Sequence, residues 1–183
     1  MTYGTPEVPA VPRTGEEHVR AEDEVDRIVA DWARERPDLD VGPLEVLSRV
    51  TRLSRHLDLA RRSAFAAHDL ELWEFDVLAA LRRAGSPYEL SPGRLVDRNL
   101  VTSGTMTNRV DRLATRHLVQ RRPDPADRRG VLVRLTSAGR RTVDAALEDL
   151  LAREHQLLQA LDDPERTELA GLLRVLLAQF DQR

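Results

Sequence analysis

Residues 118–136 of the chain read LVQRRPDPADRRGVLVRLT, two short runs with apolar positions separated by a turn rich in proline and aspartate. Short apolar runs on either side of such a turn are typical of a β-hairpin. The turn also carries Arg128 and Arg129, although the whole chain has a formal net charge of -3. Arginine side chains at an exposed hairpin tip indicate an anionic partner for this part of the molecule.

Two helices are predicted immediately before this hairpin. Ser91 and Pro92 supply an oxygen cap and a first-turn proline for a short helix that ends near Asn99. Thr102 or Ser103 then caps a second helix, whose apolar positions recur with helical spacing. Two helices joined by about three residues and followed by a hairpin describe a winged helix–turn–helix, whose second helix enters the major groove of DNA. The positions of that helix expected to face the core are Met106, Val110 and Leu113.

The remaining segments are predicted to be mostly helical, because apolar side chains recur every three or four residues. The segment AGSPYEL, residues 84–90, is interpreted as a loop. The expected fold class is therefore mainly α: a winged helix–turn–helix with an added N-terminal helix and long dimerisation helices. The other predicted helices are Gly15 to Arg36, residues 43–67, Glu71 to Arg83, one capped by Thr136 that continues to about Leu161, and a last one opened by Asp163.

These elements predict one domain with an appended arm. The first residues are rich in proline and are interpreted as a flexible tail. The predicted ranges are the tail over 1–14, the extra N-terminal helix over 15–40 and the winged helix–turn–helix domain over 41–183, with its DNA-binding part at about 71–136 and its dimerisation helices at 43–67 and 137–183.

Charge is unevenly distributed along the chain. Residues 1–40 carry eleven acidic side chains and five arginines, whereas residues 91–134 carry ten arginines and four aspartates. This asymmetry indicates a polyanion as the partner of the basic part. The absence of cysteine excludes disulfides and thiolate chemistry, and no nucleophile–base motif, phosphate loop or metal-ligand cluster is visible. We therefore expect no catalytic site, no metal and no cofactor.

No apolar run of the sequence approaches the roughly 18 residues that a membrane-spanning helix needs. The first residues also lack the basic end and apolar stretch of a secretory signal. The sequence therefore predicts a cytoplasmic protein without a membrane partner.

Candidate DNA contacts lie on the exposed side of the second helix and on the wing. Small residues at the helix N-terminus allow close approach to base edges or phosphates, where backbone N–H groups also favour phosphate. Asn108 is expected to read a base, and Arg112 to contact the backbone. Arg129, with Arg128 beside it, is expected to reach a flanking minor groove or its phosphates. The full set is Ser103, Gly104, Thr107, Asn108, Arg112, Arg128 and Arg129.

The stretch GTMTNRVDRLATRHLVQRRPDPADRRGVLVRLTSAGR, residues 104–140, resembles the MarR family of transcriptional regulators, and the likeness extends over roughly residues 43–183. The resemblance implies a homodimer, formed by the first and last helices, on a pseudo-palindromic operator in double-stranded DNA. Such proteins are usually repressors that a small molecule releases. The resemblance also implies that Asp127 steadies Arg129 of the wing and does not touch DNA.

The added N-terminal helix resembles that of the urate-responsive subgroup of this family. Urate is a flat anion at neutral pH, so arginine forks suit its charge and its carbonyl edge, and a tryptophan suits its ring plane. Because one of the implied arginines lies on the recognition helix, binding is expected to pull on the DNA-reading element. The implied effector site consists of Trp32 in ADW, Asp76 in FDVL, Arg109 in TNRV and Arg121 in LVQRR.

Each of these four residues also has a second interpretation. Trp32 suits a core position, and Asp76 suits the positive end of a helix dipole. Arg109 suits a phosphate contact, and Arg121 suits an ion pair with Asp124. The same arginines suit citrate or aconitate-like carboxylates, and a DNA-binding protein without any ligand is a further alternative.

Overall fold

The computed structural model describes residues 22–99, 101–127 and 130–180. The chain divides into two compact units, Met1–Arg52 and Leu53–Arg183, and the division falls within a helix. The described residues form seven helices and three strands, and none of these helices has the length and apolar character needed to cross a membrane. The elements are α1 (Glu24–Glu35), α2 (Gly42–Ala66), α3 (Leu72–Arg83), β1 (Glu89–Leu90), α4 (Pro92–Asn99), α5 (Ser103–Thr115), β2 (Val119–Pro123), β3 (Val131–Leu135), α6 (Ser137–Leu157) and α7 (Asp163–Leu177).

In the first unit, α1 begins at Glu24 because Asp23 caps it. The Asp23 carboxylate accepts a hydrogen bond from the backbone N–H of Asp26 at 3.1 Å, and the Asp26 carboxylate accepts one from the N–H of Asp23 at 2.8 Å. The predicted single helix from Gly15 to Arg36 is therefore wrong at Asp23, which is not helical. Residues 15–21 lie outside the described part of the chain.

Two arginines of α2 form ion pairs with the acidic side chains at the start of α1. The Arg49 guanidinium of α2 donates to Asp23 at 3.0 Å and to Asp26 at 2.7 Å, and Arg52 pairs with Glu24. The hydrogen bond from Arg49 lowers the pKa of Asp23 below its usual value. These groups are exposed to solvent, so we expect the ion pairs to orient the side chains and to contribute little to the free energy of folding.

The second unit is built around α3, which is buried along most of its length. Val77, Leu78 and Leu81 are fully buried, and the rings of Phe65 and Phe75 stack with centroids 4.0 Å apart. Removing this apolar surface from water is the main favourable contribution to folding. The neighbouring elements add to the same cluster Leu95, Met106, Val110, Leu113, Val119, Val133, Val143 and Ala146.

The three strands form one antiparallel sheet in the order β1-β3-β2. β2 pairs with β3 from Val119 opposite Leu135 onwards, which confirms the predicted hairpin. The interpretation of residues 84–90 as a loop is wrong at their end, because Glu89 pairs with Arg134 of β3. A two-residue strand has no alternation to detect, so only its distant partner strand defines it.

The helix after the hairpin starts where predicted and ends earlier. The Thr136 hydroxyl accepts a backbone N–H of the first turn of α6 at 2.9 Å, as expected for its cap. The helix ends at Leu157 and not near Leu161. The carbonyl of Leu158 accepts two hydrogen bonds, at 3.0 and 3.2 Å, from the Arg166 guanidinium of α7. This contact from another helix fixes the turn, and the local apolar pattern does not encode it.

Helices α2, α6 and α7 each carry several large apolar side chains that remain exposed in the single chain. The last helix, α7, is the extreme case, because none of its residues is buried and Val175 is 74% exposed. Contiguous apolar faces of this kind mark sites of association. The exposed residues are Val46, Leu47, Val50, Leu53 and Leu59 on α2, Leu147, Leu151 and Leu157 on α6, and Leu172, Leu173, Val175, Leu176 and Leu177 on α7.

Candidate functional site

The second helix of the helix–turn–helix is α5, and Thr102 is its cap. The Thr102 hydroxyl accepts the backbone N–H of Thr105 at 3.3 Å, so Ser103 is the first helical residue. Met106, Val110 and Leu113 are buried, which confirms their predicted core positions. The opposite side of α5 is exposed and carries the five predicted DNA contacts of this helix, Ser103, Gly104, Thr107, Asn108 and Arg112.

On this exposed side, Thr107 is constrained by a hydrogen bond within the protein, whereas Gly104 has open space around it. The Thr107 hydroxyl donates to the backbone carbonyl of Ser103 at 3.0 Å. A Cβ at Gly104 would have nothing within 4 Å, so the described packing of the protein does not require glycine there. A small residue at this place leaves room for a partner outside the chain.

Arg112 is held by two residues at the start of α3. Its Nη2 donates to Oε1 of Glu71 at 2.6 Å, and its Cζ lies 4.7 Å from the ring centroid of Trp73. The indole Nε1 of Trp73 donates to Oε2 of the same Glu71 at 2.6 Å. The hydrogen bonds from Trp73 and Arg112, in that order, lower the pKa of Glu71. Neither Glu71 nor Trp73 was among the residues predicted to form the site, although the sequence has an acid and a tryptophan at this helix start.

Arg116, at the end of α5, makes a second link to α3. Its Nη1 donates to Oε2 of Glu74 at 2.6 Å, and its Nη2 donates to the carboxylate of Asp69 at 2.8 Å. The Glu74 side chain is only 2% exposed, so this carboxylate is nearly sealed from water. The hydrogen bond with Glu74 is the largest cause of the raised pKa of Arg116. The pair anchors α5 to α3 through charge as well as through apolar packing.

The wing turn is closed by backbone hydrogen bonds. The N–H of Asp124 donates to the carbonyl of Gly130 at 3.0 Å, and the N–H of Gly130 donates to the carbonyl of Asp127 at 2.8 Å. Arg128 and Arg129 lie outside the described residues, and so does the expected pairing of Asp127 with Arg129. The basic tip of the wing therefore stays a prediction.

Three of the four predicted effector residues lie in the second unit. The carboxylate of Asp76 accepts a hydrogen bond from Arg61 of α2 at 3.1 Å, so its partner is a cation and not only a helix N-terminus. Arg121 pairs with Asp111 of α5 at 2.7 Å, and the suggested pair with Asp124 is wrong. Among the described residues, no ion pair joins Asp76 to either predicted effector arginine.

Arg109 differs from the other charged members of this set. Its Cζ lies 5.4 Å from the ring centroid of Trp73, the ring that Arg112 also covers. Within the described ranges, no carboxylate forms an ion pair with Arg109. One indole ring therefore contacts two arginines that lie three positions apart on α5.

Trp32, the fourth predicted effector residue, lies in the first unit. Its side chain is 50% exposed, so the interpretation as a core residue is wrong for the single chain. With Ile28, Asp31 and Glu35 it lines an open pocket of about 270 Å³ on α1. Arg34 donates to both of these acids, at 2.9 Å to Asp31 and 3.1 Å to Glu35, and so offsets their charge.

Comparison with known proteins agrees with this architecture. A model of the MarR family matches residues 68–130, which include the helix–turn–helix and the first wing strand. The regulator PecS of Dickeya dadantii is 38% identical over 150 residues, which cover 82% of this chain and 90% of PecS.

Solved structures of MarR-family proteins are also similar to this chain. An Escherichia coli MarR variant in complex with operator DNA is 27% identical, with a TM-score of 0.62, and covers 76% of this chain and 99% of its own. Bordetella bronchiseptica BpsR, whose DNA binding is regulated by 6-hydroxynicotinic acid, is 30% identical with a TM-score of 0.54, covering 70% and 98%. These relatives are regulators and not enzymes, in agreement with the absence of a predicted catalytic site. The chain belongs to the MarR family of DNA-binding transcriptional regulators.

Proposed function

We propose that this protein is a homodimeric repressor that leaves a pseudo-palindromic operator when a small anion, specifically urate, binds to it. The observation that carries the proposal is the position of Arg109. This guanidinium lies on the same helix as the exposed DNA-facing residues, and no carboxylate of the described chain forms an ion pair with it. A cation without an anionic partner on the recognition helix suits an anionic effector.

On the DNA side, the exposed face of α5 supports insertion into a major groove. Ser103 and Gly104 are small and allow close approach, Asn108 reads a base edge, and Arg112 contacts the backbone. Arg128 and Arg129 of the wing contact the neighbouring minor groove or its phosphates, and Asp127 steadies Arg129. Two copies related by a two-fold axis would read two half-sites about one helical turn apart.

The exposed apolar faces support the dimer. The leucine- and valine-rich sides of α2, α6 and α7 have no cover within the described part of the single chain. A second copy provides the same apolar surface and removes both faces from water. We therefore assign dimerisation to these three helices.

The chemistry of the effector residues supports a flat anion. Arg109 and Arg121 are planar donors that match a carboxylate or a ring carbonyl edge, and Trp32 supplies an exposed aromatic face. Arg121 would exchange Asp111 for the ligand, because the two partners compete for one guanidinium. Asp76, already paired with Arg61, disfavours an anion that does not bring compensating contacts.

The energy that such a switch needs is small. A ligand shifts the equilibrium only by its differential affinity for the two states. A difference of about 1.4 kcal/mol per site weakens DNA binding tenfold. Two arginine contacts that are made in only one of the two states are sufficient for this.

Citrate or aconitate-like carboxylates are the second candidates. The same arginines suit them, and the relative BpsR responds to 6-hydroxynicotinic acid, a ring that carries a carboxylate. This likeness supports a small anion as the effector class, within which urate is our specific proposal.

The test is operator release measured by fluorescence anisotropy, with DNA from upstream of the gene. For each variant, the measured quantity is the ratio of the operator Kd with urate to the operator Kd without urate. We expect this ratio to be about ten or more for the wild-type protein and smaller for Arg109→Ala. Trp32→Phe is expected to reduce the same ratio. An operator Kd that stays constant in urate, xanthine, citrate and 6-hydroxynicotinate would refute effector control and leave a ligand-independent DNA-binding protein.

A further inference from the structure

We infer that Glu71 and Trp73, both at the start of α3, are positioning residues that orient Arg112 for its contact with DNA. The inference rests on the proposed DNA contact of Arg112 and is independent of which anion, if any, is the effector. Glu71 and Trp73 are distant from Arg112 in sequence, and neither belongs to the recognition helix.

Three contacts close a triangle around the Arg112 guanidinium. Glu71 accepts from one of its terminal nitrogens at 2.6 Å, and Trp73 covers its plane with 4.7 Å between Cζ and the ring centroid. Trp73 in turn donates its indole N–H to the second oxygen of Glu71 at 2.6 Å. Each member therefore fixes the orientation of the next, as in other cooperative polar networks.

The triangle holds Arg112 without hiding it. The Arg112 side chain is 59% exposed and that of Glu71 is 56% exposed. Because Glu71 engages only Nη2, the Nε and Nη1 donors have no hydrogen-bond partner among the described residues. Each of these two nitrogens is therefore free to donate to a phosphate oxygen or to an acceptor on a base edge.

Holding Arg112 in its binding orientation before DNA arrives has a measurable effect on the affinity for DNA. A mobile arginine loses rotamer freedom when it binds, and immobilising one such side chain weakens association by about two- to tenfold. A side chain already held in its binding orientation avoids most of this loss. Glu71 and Trp73 therefore strengthen DNA binding without touching DNA.

A carboxylate beside a DNA-facing arginine has a second effect of opposite sign, because it lowers the local positive charge. If charge alone determined the result, removing Glu71 would strengthen DNA binding. The closed triangle predicts the reverse, a weakening. The sign of the change therefore separates a positioning residue from an electrostatic competitor.

The experiment is a double-mutant cycle on operator affinity, measured by fluorescence anisotropy without effector. We expect Glu71→Ala and Trp73→Leu each to raise the operator Kd about two- to tenfold. In an Arg112→Ala background, neither change should have a further effect. Glu71→Gln keeps one oxygen acceptor and replaces the other by an NH2 donor, so its operator Kd is expected to lie between those of the wild type and Glu71→Ala.

The matched control is Glu22→Ala, which removes an exposed glutamate that precedes α1 and the same unit of charge. It is expected to leave the operator Kd unchanged or slightly lower, and the unfolding midpoint of every variant is measured to confirm folding. Wild-type or tighter binding by Glu71→Ala, or additive losses with Arg112→Ala, would overturn the inference alone. Wild-type binding by Arg112→Ala would overturn the proposed DNA contact and the inference together.

Discussion

Replacing Gly139 by alanine is expected to destabilise the protein substantially, although alanine is the better helix former. Gly139 lies in the first turn of α6, and a Cβ there would lie 2.0 Å from the carbonyl oxygen of Leu118 and 2.9 Å from the carbonyl carbon. Both are backbone atoms next to β2, so neither can rotate away. The same carbonyl oxygen accepts the backbone N–H of Thr136 at 3.1 Å, and it shares the single proton of the Thr136 hydroxyl, at 3.2 Å, with the carbonyl of His117, at 2.8 Å.

The magnitude follows from three contributions. Overpacking a fixed site costs about 1–3 kcal/mol. Displacing the Leu118 carbonyl weakens the two hydrogen bonds from Thr136, at about 1 kcal/mol each. The higher helix propensity of alanine offsets about 1 kcal/mol of this destabilisation. The free energy of unfolding should therefore fall by about 2–4 kcal/mol, and the unfolding midpoint by roughly 10 °C.

Thermal and urea unfolding followed by far-UV circular dichroism measure this loss, at one fixed protein concentration because association adds to apparent stability. The matched control is Gly93→Ala in the first turn of α4, where an added Cβ has nothing within 4 Å. This control is expected to stabilise the protein by up to about 1 kcal/mol. If Gly139→Ala is as stable as the wild type, or if Gly93→Ala is the more damaging change, the packing argument is refuted.

Three further outcomes are expected. Glu74→Ala should lower the free energy of unfolding by about 3 kcal/mol, which is the lower end for a broken buried ion pair. The lower end applies because the Arg116 side chain is 33% exposed and keeps a second carboxylate partner, Asp69. Denaturant unfolding measures this loss, and a loss below about 1 kcal/mol contradicts the expectation. The pKa of Glu71 is lowered in the folded state, so its interaction with Trp73 is present above the ordinary value of 4.5 and is lost as the pH falls through the lowered pKa. The fluorescence of Trp73, measured in a variant without the other tryptophan, should change in that acidic range and not between pH 6 and about pH 8. Val175→Asp, at a position of α7 that is 74% exposed in the single chain, should shift the protein from dimer towards monomer in analytical ultracentrifugation; an unchanged dimer would exclude this face from the interface.

Much of the fold follows from local signals in the sequence. The caps at Thr102 and Thr136 are each followed by a helix, and the proline- and aspartate-rich turn after Pro123 joins two paired strands. These features depend on neighbouring residues alone, so the sequence contains the information needed to predict them. The end of α6 and the strand β1 depend on distant partners, and local patterns misplaced both.

The contacts around α5 were not predictable for the same reason. Arg112 and Arg116 look like two more cations of a basic helix, yet they pair with Glu71 and Glu74 across about forty residues of chain. A periodic pattern identifies which side of a helix is apolar, but it does not identify which charge on the polar side meets which acid. The resemblance to the MarR family supplied Arg109 and Arg121 as candidates and gave no indication that Trp73 lies against Arg109.

The nearly buried carboxylate of Glu74 has a mechanical consequence for repression. Separating α5 from α3 would leave that carboxylate without its guanidinium in an apolar interior, which is among the more costly changes a protein can undergo. We therefore expect the two helices to move together if an effector binds at Arg109. An effector of this protein would then alter the spacing between the two recognition helices of a dimer, while the fit of each helix to its own groove stays the same.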